Sequence, residues 1–431
     1  SQLAPVDGQD GVFESTFTIP AGTWEYKVAF DGSWDNAFSG DGENNRTLTI
    51  AGDTPIRFTY MTKTDDRAER IALTPVLEPG YTEADDALVQ KPVFQPGSDQ
   101  NFYFVLADRF NDGDPSNNYG GAATAAEGGY DPTNKGFYFG GDIKGLEDKL
   151  DYIEGLGTTA IWLAPMFKNR AVQGEGEAAA AGYHGYWITD FTQIDPHFGT
   201  NEEMKQFIAA AHAKGIKVYF DIITNHTADI IYFEEGEYAY KEINEFPYYD
   251  AEGNVIYVDQ LAKDRTNPWP ALDPLKSFPY TPVVSPGKED IKVPAWLNDV
   301  TLYHNRGDST WEGESVTFGD FNGLDDLMTE HPTVVNGFID VYNYWIDDFG
   351  IDGFRIDTVK HVNFQFWEDW TEAITEKAAE VNPDFFMFGE VFTTNQQEPS
   401  KYVRQTDMSS TLDFAFQDAA SGYAKGKGAK V

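Results

Sequence analysis

Two short stretches end apolar runs in acids. GFRIDTVKH (353–361) carries Asp357, and FGEVF (388–392) carries Glu390. Charges are costly to bury unless they are paired or put to use. Two carboxylates delivered by neighbouring strand ends are what a retaining glycosidase needs. One attacks the anomeric carbon, the other protonates the leaving oxygen, and they stand about 5–5.5 Å apart. Either acid alone reads equally well as a helix N-cap; the two together favour catalysis. Arg355 lies two residues before Asp357, so both face one side of the strand. A guanidinium there would keep Asp357 ionised and fit to attack. DIITNH (221–226) brings Asp221, Asn225 and His226 to another strand end, where His226 reads as a donor to sugar hydroxyls. NDGDPSNN (111–118) collects Asp112, Asp114, Asn117 and Asn118, hard oxygen ligands suited to calcium, although an Asp/Asn/Gly turn alone has the same look.

These groups need elements to hold them. Residues 1–60 alternate in short period-2 runs (VFESTFTIP, TWEYKVAF, RTLTIAG) broken by turn signals, which predicts an antiparallel β-sandwich. A stretch rich in Pro, Gly and acid follows and reads as a linker. From about 101 the texture becomes strand–helix alternation. Strands are expected in NFYFVLADRF, TTAIWLAP (158–165), IKVYFDIITNH (216–226), IDGFRID (351–357), DFFMFGE (384–390) and STLDFAF (410–416). A capping box at Thr200 and Glu203 opens one helix and Gly215 closes it. Val334, Phe338, Val341, Trp345 and Phe349 form the buried face of another. This alternation predicts a parallel α/β sheet of the (β/α)8 TIM-barrel kind, with about six of its strands in the chain and the site at their carboxyl ends. The expected domains are 1–78 (sandwich, beginning inside the module), 79–99 (linker), 100–226 (first part of the barrel), 227–332 (an insertion after strand three) and 333–431 (strands four to six). The insertion is far longer than an ordinary βα loop.

Composition narrows the partners. A net charge of −40 repels nucleic acid phosphates and anionic lipid, and no apolar run of membrane length occurs. Forty-one percent hydrophobic and 15% aromatic residues exclude a disordered chain. With no cysteine, neither disulfides nor thiolate metal sites operate. The acidity reads as solubility or, more sharply, as a saline or calcium-containing extracellular setting.

Four segments, GTTAIWLAP (157–165), DIITNH, GFRIDTVKH and FGEVF, resemble those of the α-amylase family, glycoside hydrolase family 13, in order and spacing over roughly 98–431. The long insertion resembles that family's domain B. The resemblance implies Asp357 as nucleophile and Glu390 as general acid/base. Arg355 and His226 would line the −1 subsite beside Asp221, and Tyr186 of GYHGYW would stack on the −1 sugar. Lys360 and His361 would contact the aglycone side, a pairing similar to α-1,4-acting amylases and cyclodextrin glucanotransferases. DRFNDGDPSNN with FYFGGD (137–142) resembles a calcium site completed by the Gly140 carbonyl and Asp142. Asn225, the His361 carbonyl and Asp326 match a second calcium site. The N-terminal region resembles β-sandwich modules of bacterial amylases and pullulanases, in which Trp24 and Trp34 either stack on glucan or pack the sandwich.

The resemblance thus implies a secreted, calcium-binding, monomeric endo-α-1,4-glucan hydrolase acting on starch and maltooligosaccharides. A transglycosylase or a pullulan/cyclodextrin hydrolase of the same family is the alternative. A non-catalytic glucan-binding or partner module is the rival from another class. One family feature is missing, since none of the seven histidines is followed by the Asp that would supply the third acid. Val431 falls just beyond the sixth strand. The expectation is therefore that two more strands lie outside the chain and that residues 1–431 alone are inactive.

Overall fold

Alternating side chains at the start of the chain produce antiparallel pairs. The computed structural model describes residues 2–30, 32–39, 45–50, 53–64, 70–76 and 97–426, without the side chains of 33–35. It divides into two units, Ser1–Val93 and Phe94–Val431. In the first, Ala4–Pro5, Val12–Ile19, Thr54–Met61 and Ile71–Pro75 form a four-stranded antiparallel sheet. Two further antiparallel pairs join Gly22–Tyr26 to Arg46–Ile50 and Val28–Phe30 to Ser33–Phe38. Tyr60, Ile71 and Phe38 are the core between them, with Phe13, Tyr26, Val28 and Phe30 packed against it. Trp24 stays out of that core: it is 45% exposed, and its indole N–H donates to the Pro20 carbonyl at 2.9 Å. The Trp34 side chain, and the expected linker as far as residue 96, lie outside the described residues.

The second unit is built on six parallel strands: β1 (Phe102–Val105), β2 (Ala160–Leu163), β3 (Lys217–Ile222), β4 (Gly353–Ile356), β5 (Phe386–Gly389) and β6 (Ser410–Thr411). Their order across the sheet is their order in sequence. That is the pattern of a barrel wall and not of a doubly wound sheet. Phe102, Tyr219, Phe386 and Phe388 make an aromatic cluster on one face. On the other face lie the helices, among them α1 (Asn201–Ala213), α3 (Pro332–Phe349) and α4 (Phe364–Val381). The Thr200–Glu203 capping box is formed at the start of α1, and Gly215 takes φ +73° just past its end. All five apolar residues expected on α3 are buried, each stabilising by about 1.5–3 kcal/mol.

Between β3 and α3 the chain makes a subdomain with its own core of Tyr248, Ile256, Val258, Phe318 and Met328. It includes helix α2 (Val258–Lys263) and short pairs such as Ile231–Phe233 with Pro282–Val284. Its two ends are tied by His226–Thr227 pairing antiparallel with Asp325–Asp326. Asp325 also accepts from the backbone N–H groups of Ile230 and Ile231 and bonds Lys292 at 2.6 Å, with both side chains buried.

Three expected strands are shorter than their apolar runs. NFYFVLADRF turns into a 3-10 turn at Ala107–Arg109, and β3 stops at Ile222. The run 410–416 keeps only two strand residues, because the Asp413 side chain accepts from Phe416 N–H and caps a helix, α5 (Phe414–Ala424).

Candidate active site

Register aligns the two acids. Ile356 of β4 pairs with Gly389 of β5, so Asp357 and Glu390, one residue further on, enter the rim at the same level. Their N–H groups continue the ladder, Asp357 to the Ile222 carbonyl and Glu390 to the Ile356 carbonyl. Arg355, 5% exposed, is the hub between them. Its Nη1 donates to Asp221 Oδ1 at 2.8 Å and to Asp357 Oδ1 at 2.6 Å, and its Nη2 lies 3.0 Å from Glu390 Oε2. Three carboxylates share one guanidinium.

The charges respond accordingly. Burial pushes the carboxyls of Asp221, Asp357 and Glu390 up, and Arg355 opposes this in each without fully reversing it. The guanidinium thus moderates the rise in Asp357 without cancelling it. The contact between the two rim acids raises Glu390 and lowers Asp357, a bias toward one acid and one carboxylate. Thr358, next in the chain, sits in the left-handed region at φ 50°, and its N–H lies 3.3 Å from Glu390 Oε2. A β-branched residue there is a true outlier.

The remaining predicted residues gather around this pair with one change of role. Asp221 is 1% exposed. Its Oδ2 accepts from Tyr186 OH at 3.1 Å and Trp162 Nε1 at 3.0 Å, while Oδ1 is taken by Arg355. It therefore positions Arg355 and Tyr186 and does not reach a sugar, which corrects its expected place among the substrate contacts. His226 is buried, and desolvation lowers its pKa to about 3, so the ring is neutral. Its Nδ1 lies 3.2 Å from the Asn225 amide nitrogen, and its Nε2 has no partner. A hydrogen bond with the Tyr186 backbone also acts on the ring and opposes the effect of burial. Lys360 Nζ donates to the Phe392 carbonyl at 2.8 Å. Burial lowers the His361 pKa as well, and its Nδ1 bonds the Val316 carbonyl at 2.8 Å.

Comparison with known proteins joins this geometry to a family. The family described as "Alpha amylase, catalytic domain" matches residues 104–431. The chain belongs to the α-amylase family. A second family, the pullulanase X25 domain, matches residues 1–67. Among curated relatives, an alpha-amylase of Streptomyces lividans is 59% identical over 297 residues, 69% of this chain and 32% of that protein. A cyclomaltodextrin glucanotransferase of Klebsiella oxytoca is 31% identical over 330 residues, 74% of this chain and 43% of that protein. An Anoxybacillus alpha-amylase structure matches with a TM-score of 0.52 at 30% identity, over 75% of this chain and 54% of that one. The chain thus spans a third to a half of these curated relatives. The α-amylase catalytic domain is a (β/α)8 barrel, represented here by the six-stranded parallel sheet and its helices.

Members of the α-amylase family usually bind calcium, and two oxygen-rich sets of this chain bear on that. In the 111–118 loop the Oδ1 atoms of Asn117 and Asn118 are buried without a hydrogen-bond partner. Gly140 has φ +94°, and a Cβ there would come within 2.5 Å of Asn118 Oδ1. Asp112 Oδ2 accepts from Asn118 Nδ2 at 3.0 Å. This donor set fits a hard cation. Asp142 contributes differently: its oxygens accept from the N–H groups of Gly113, Asp114 and Gly145, which draws the loop in and caps the helix Ile143–Asp148. Asp114 Oδ1 is engaged by Ser116. At the second set, Asp326 pairs with His226 across the subdomain neck, and its Oδ2 lies 2.6 Å from His304 Nδ1. Among the described residues no three or more His, Cys, Asp or Glu side chains converge as on a metal.

Sequence reasoning missed three residues of the site. Trp162 is the sheet-face alternate of AIWL and stands with its ring 5.3 Å from the Arg355 guanidinium. Trp311 and Phe321, from the inserted subdomain, stand 5.8 and 5.2 Å from the His361 ring. Only the period-2 position of Trp162 was a readable signal.

Proposed function

We propose that the protein carrying these residues is a retaining endo-α-1,4-glucan hydrolase acting on starch-like polysaccharides and maltooligosaccharides. The carrying observation is the alignment of Asp357 and Glu390 at one level on two nitrogens of one guanidinium. An Asp357 oxygen attacks the anomeric carbon while Glu390 gives its proton to the glycosidic oxygen, so the glycosidic bond breaks as a glycosyl ester forms. Glu390, now a carboxylate, takes a proton from water, whose oxygen attacks the same carbon and frees Asp357 with configuration retained. Asp221 fixes Tyr186 against the sugar-binding side, His226 Nε2 donates to a sugar hydroxyl, and Lys360 and His361 border the leaving side. Two oxygen sets, Asp112, Asn117, Asn118 and Gly140 around the Asp142-capped turn, and Asn225, Asp326 and the His361 carbonyl, would hold calcium. Calcium would supply structural charge there and no reacting group. Because a starch polymer does not cross a cell envelope, the proposed setting is extracellular, with the protein acting as a monomer.

A sugar acceptor in place of water would give transglycosylation, or turnover of pullulan and cyclodextrins. The aromatic groups Trp311 and Phe392, 46% and 64% exposed beside His361 and Lys360, favour that second reading. Product analysis on amylose, pullulan and cyclodextrins separates the two. For the mechanism, the test is Asp357→Asn in the complete protein. The expected loss of kcat is on the order of 10⁴-fold, and hydrolysis at the wild-type rate would remove Asp357 as nucleophile and favour a non-catalytic role.

A further inference from the structure

Tyr186 is held at two points. At its far end the hydroxyl donates to Asp221 Oδ2 at 3.1 Å, and at its near end the backbone N–H donates to Nδ1 of His184 at 3.0 Å. Between His184 and Tyr186, Gly185 takes φ +89° in a turn that lies just past the end of β2, where a Cβ would collide with the Pro165 carbonyl oxygen. Only glycine admits so close an approach in that conformation. The turn is thus held to one shape, in which the His184 ring folds back over its own chain. That ring lies nearly parallel to the Tyr186 ring, with centroids 5.7 Å apart and planes 22° apart, and meets the Trp187 ring edge-on at 4.7 Å. One residue further on, the Trp187 N–H donates to the side-chain oxygen of buried Asn169 at 2.6 Å.

A backbone N–H only donates, so Nδ1 of His184 must keep its lone pair, as in the neutral ring with the proton on Nε2. Burial, with smaller contributions from His226 and Arg109, pushes the His184 pKa down to about 4, which keeps that lone pair available at neutral pH. A stacking ring serves a sugar only while its plane stays fixed, and small displacements at such a site cost activity. Asp221 holds only the hydroxyl, at the tip of a side chain with two rotatable bonds, so the backbone that carries the ring needs a hold of its own. We propose that His184 is a positioning residue for the sugar-binding site: its Nδ1 fixes the Tyr186 backbone, and together with Asp221 it sets the plane of the ring offered to the sugar. That this ring meets a sugar rests on the function proposed above; the two-point hold does not.

Kinetics of the complete protein on maltooligosaccharides test this, with Tm followed in each variant. His184→Phe keeps a ring in the stack but removes the acceptor, and kcat/KM is expected to fall about tenfold. His184→Asn returns an acceptor close to the Nδ1 position and should restore kcat/KM to within about twofold of wild type. His184→Gln, equally polar but with its oxygen one bond further out, should stay as low as His184→Phe. In a Tyr186→Ala background, His184→Phe should cost nothing more, because the residue it acts through is gone. An Asn variant no better than Gln, or losses from His184→Phe and Tyr186→Ala that multiply, would overturn the assignment and reduce His184 to packing. The Asn–Gln comparison decides this even where His184→Phe does not fold. Full activity in Tyr186→Ala alone would remove the sugar platform itself, and the proposal with it.

Discussion

At the ends of β4 and β5 three carboxylates crowd one guanidinium, whereas in the 111–118 loop two amide oxygens face no partner at all. The first region has its counter-charge built in. The second, on the calcium reading proposed above, would take its cation from solution. An internal cation fixes geometry regardless of the medium and tunes proton affinities. An external one makes order depend on the concentration of an ion. The contrast separates what Arg355 does from what calcium would do, and each half can be broken separately.

The largest effect should come from Arg355→Met. Without the guanidinium, three buried carboxyls lose the group that opposes their rise, so all three move further up. Attack needs Asp357 ionised, so the acidic limb of the pH–rate profile should move to higher pH, with kcat/KM at neutral pH falling by about 10²-fold or more. An unmoved limb would show that Arg355 is not the internal counter-charge. The loop should respond to removal of its external one. A calcium chelator is expected to lower Tm by roughly 5 °C, reversibly. Asn118→Ala should shrink that response, and a chelator response equal to wild type would separate the loop from calcium.

The smallest effect belongs far from both regions. His212 Nε2 lies 2.7 Å from Asp352 Oδ2, and that hydrogen bond raises the histidine pKa. A raised folded-state value means that the contribution is complete below the unfolded pKa of ~6.5 and fades as pH rises through the folded value. The side chain is 40% exposed, so the contribution is small. His212→Gln should lower Tm slightly in mildly acidic buffer and not at all in alkaline buffer; equal shifts in both would exclude the ionic contribution.

Much of this was readable because it is local. Apolar runs ending in acids gave β3, β4 and β5, and the T-x-x-E pattern gave the start of α1. The true extent of β6 was hidden because STLDFAF suits a strand until the Asp413 side chain is seen capping α5. The role of Asp221 was hidden for a different reason. It depends on Tyr186 and Trp162, 35 and 59 residues away, whose hydroxyl and indole N–H occupy an oxygen that local pattern leaves open for a sugar. The same holds for His304, which reaches Asp326 and Glu330 only after the subdomain has folded back.

The neck of that subdomain bears on how the chain finds its shape. β4 pairs with β5 across a single intervening helix, but Asp221 and Arg355 of adjacent β3 and β4 are 134 residues apart in the chain. Closing so long a loop is slow and entropically unfavourable before any contact offsets it. The antiparallel clasp of His226–Thr227 on Asp325–Asp326 removes most of that separation. Once it has formed, β3 and the start of α3 are near neighbours along the effective chain, and joining the two halves of the sheet becomes a local event.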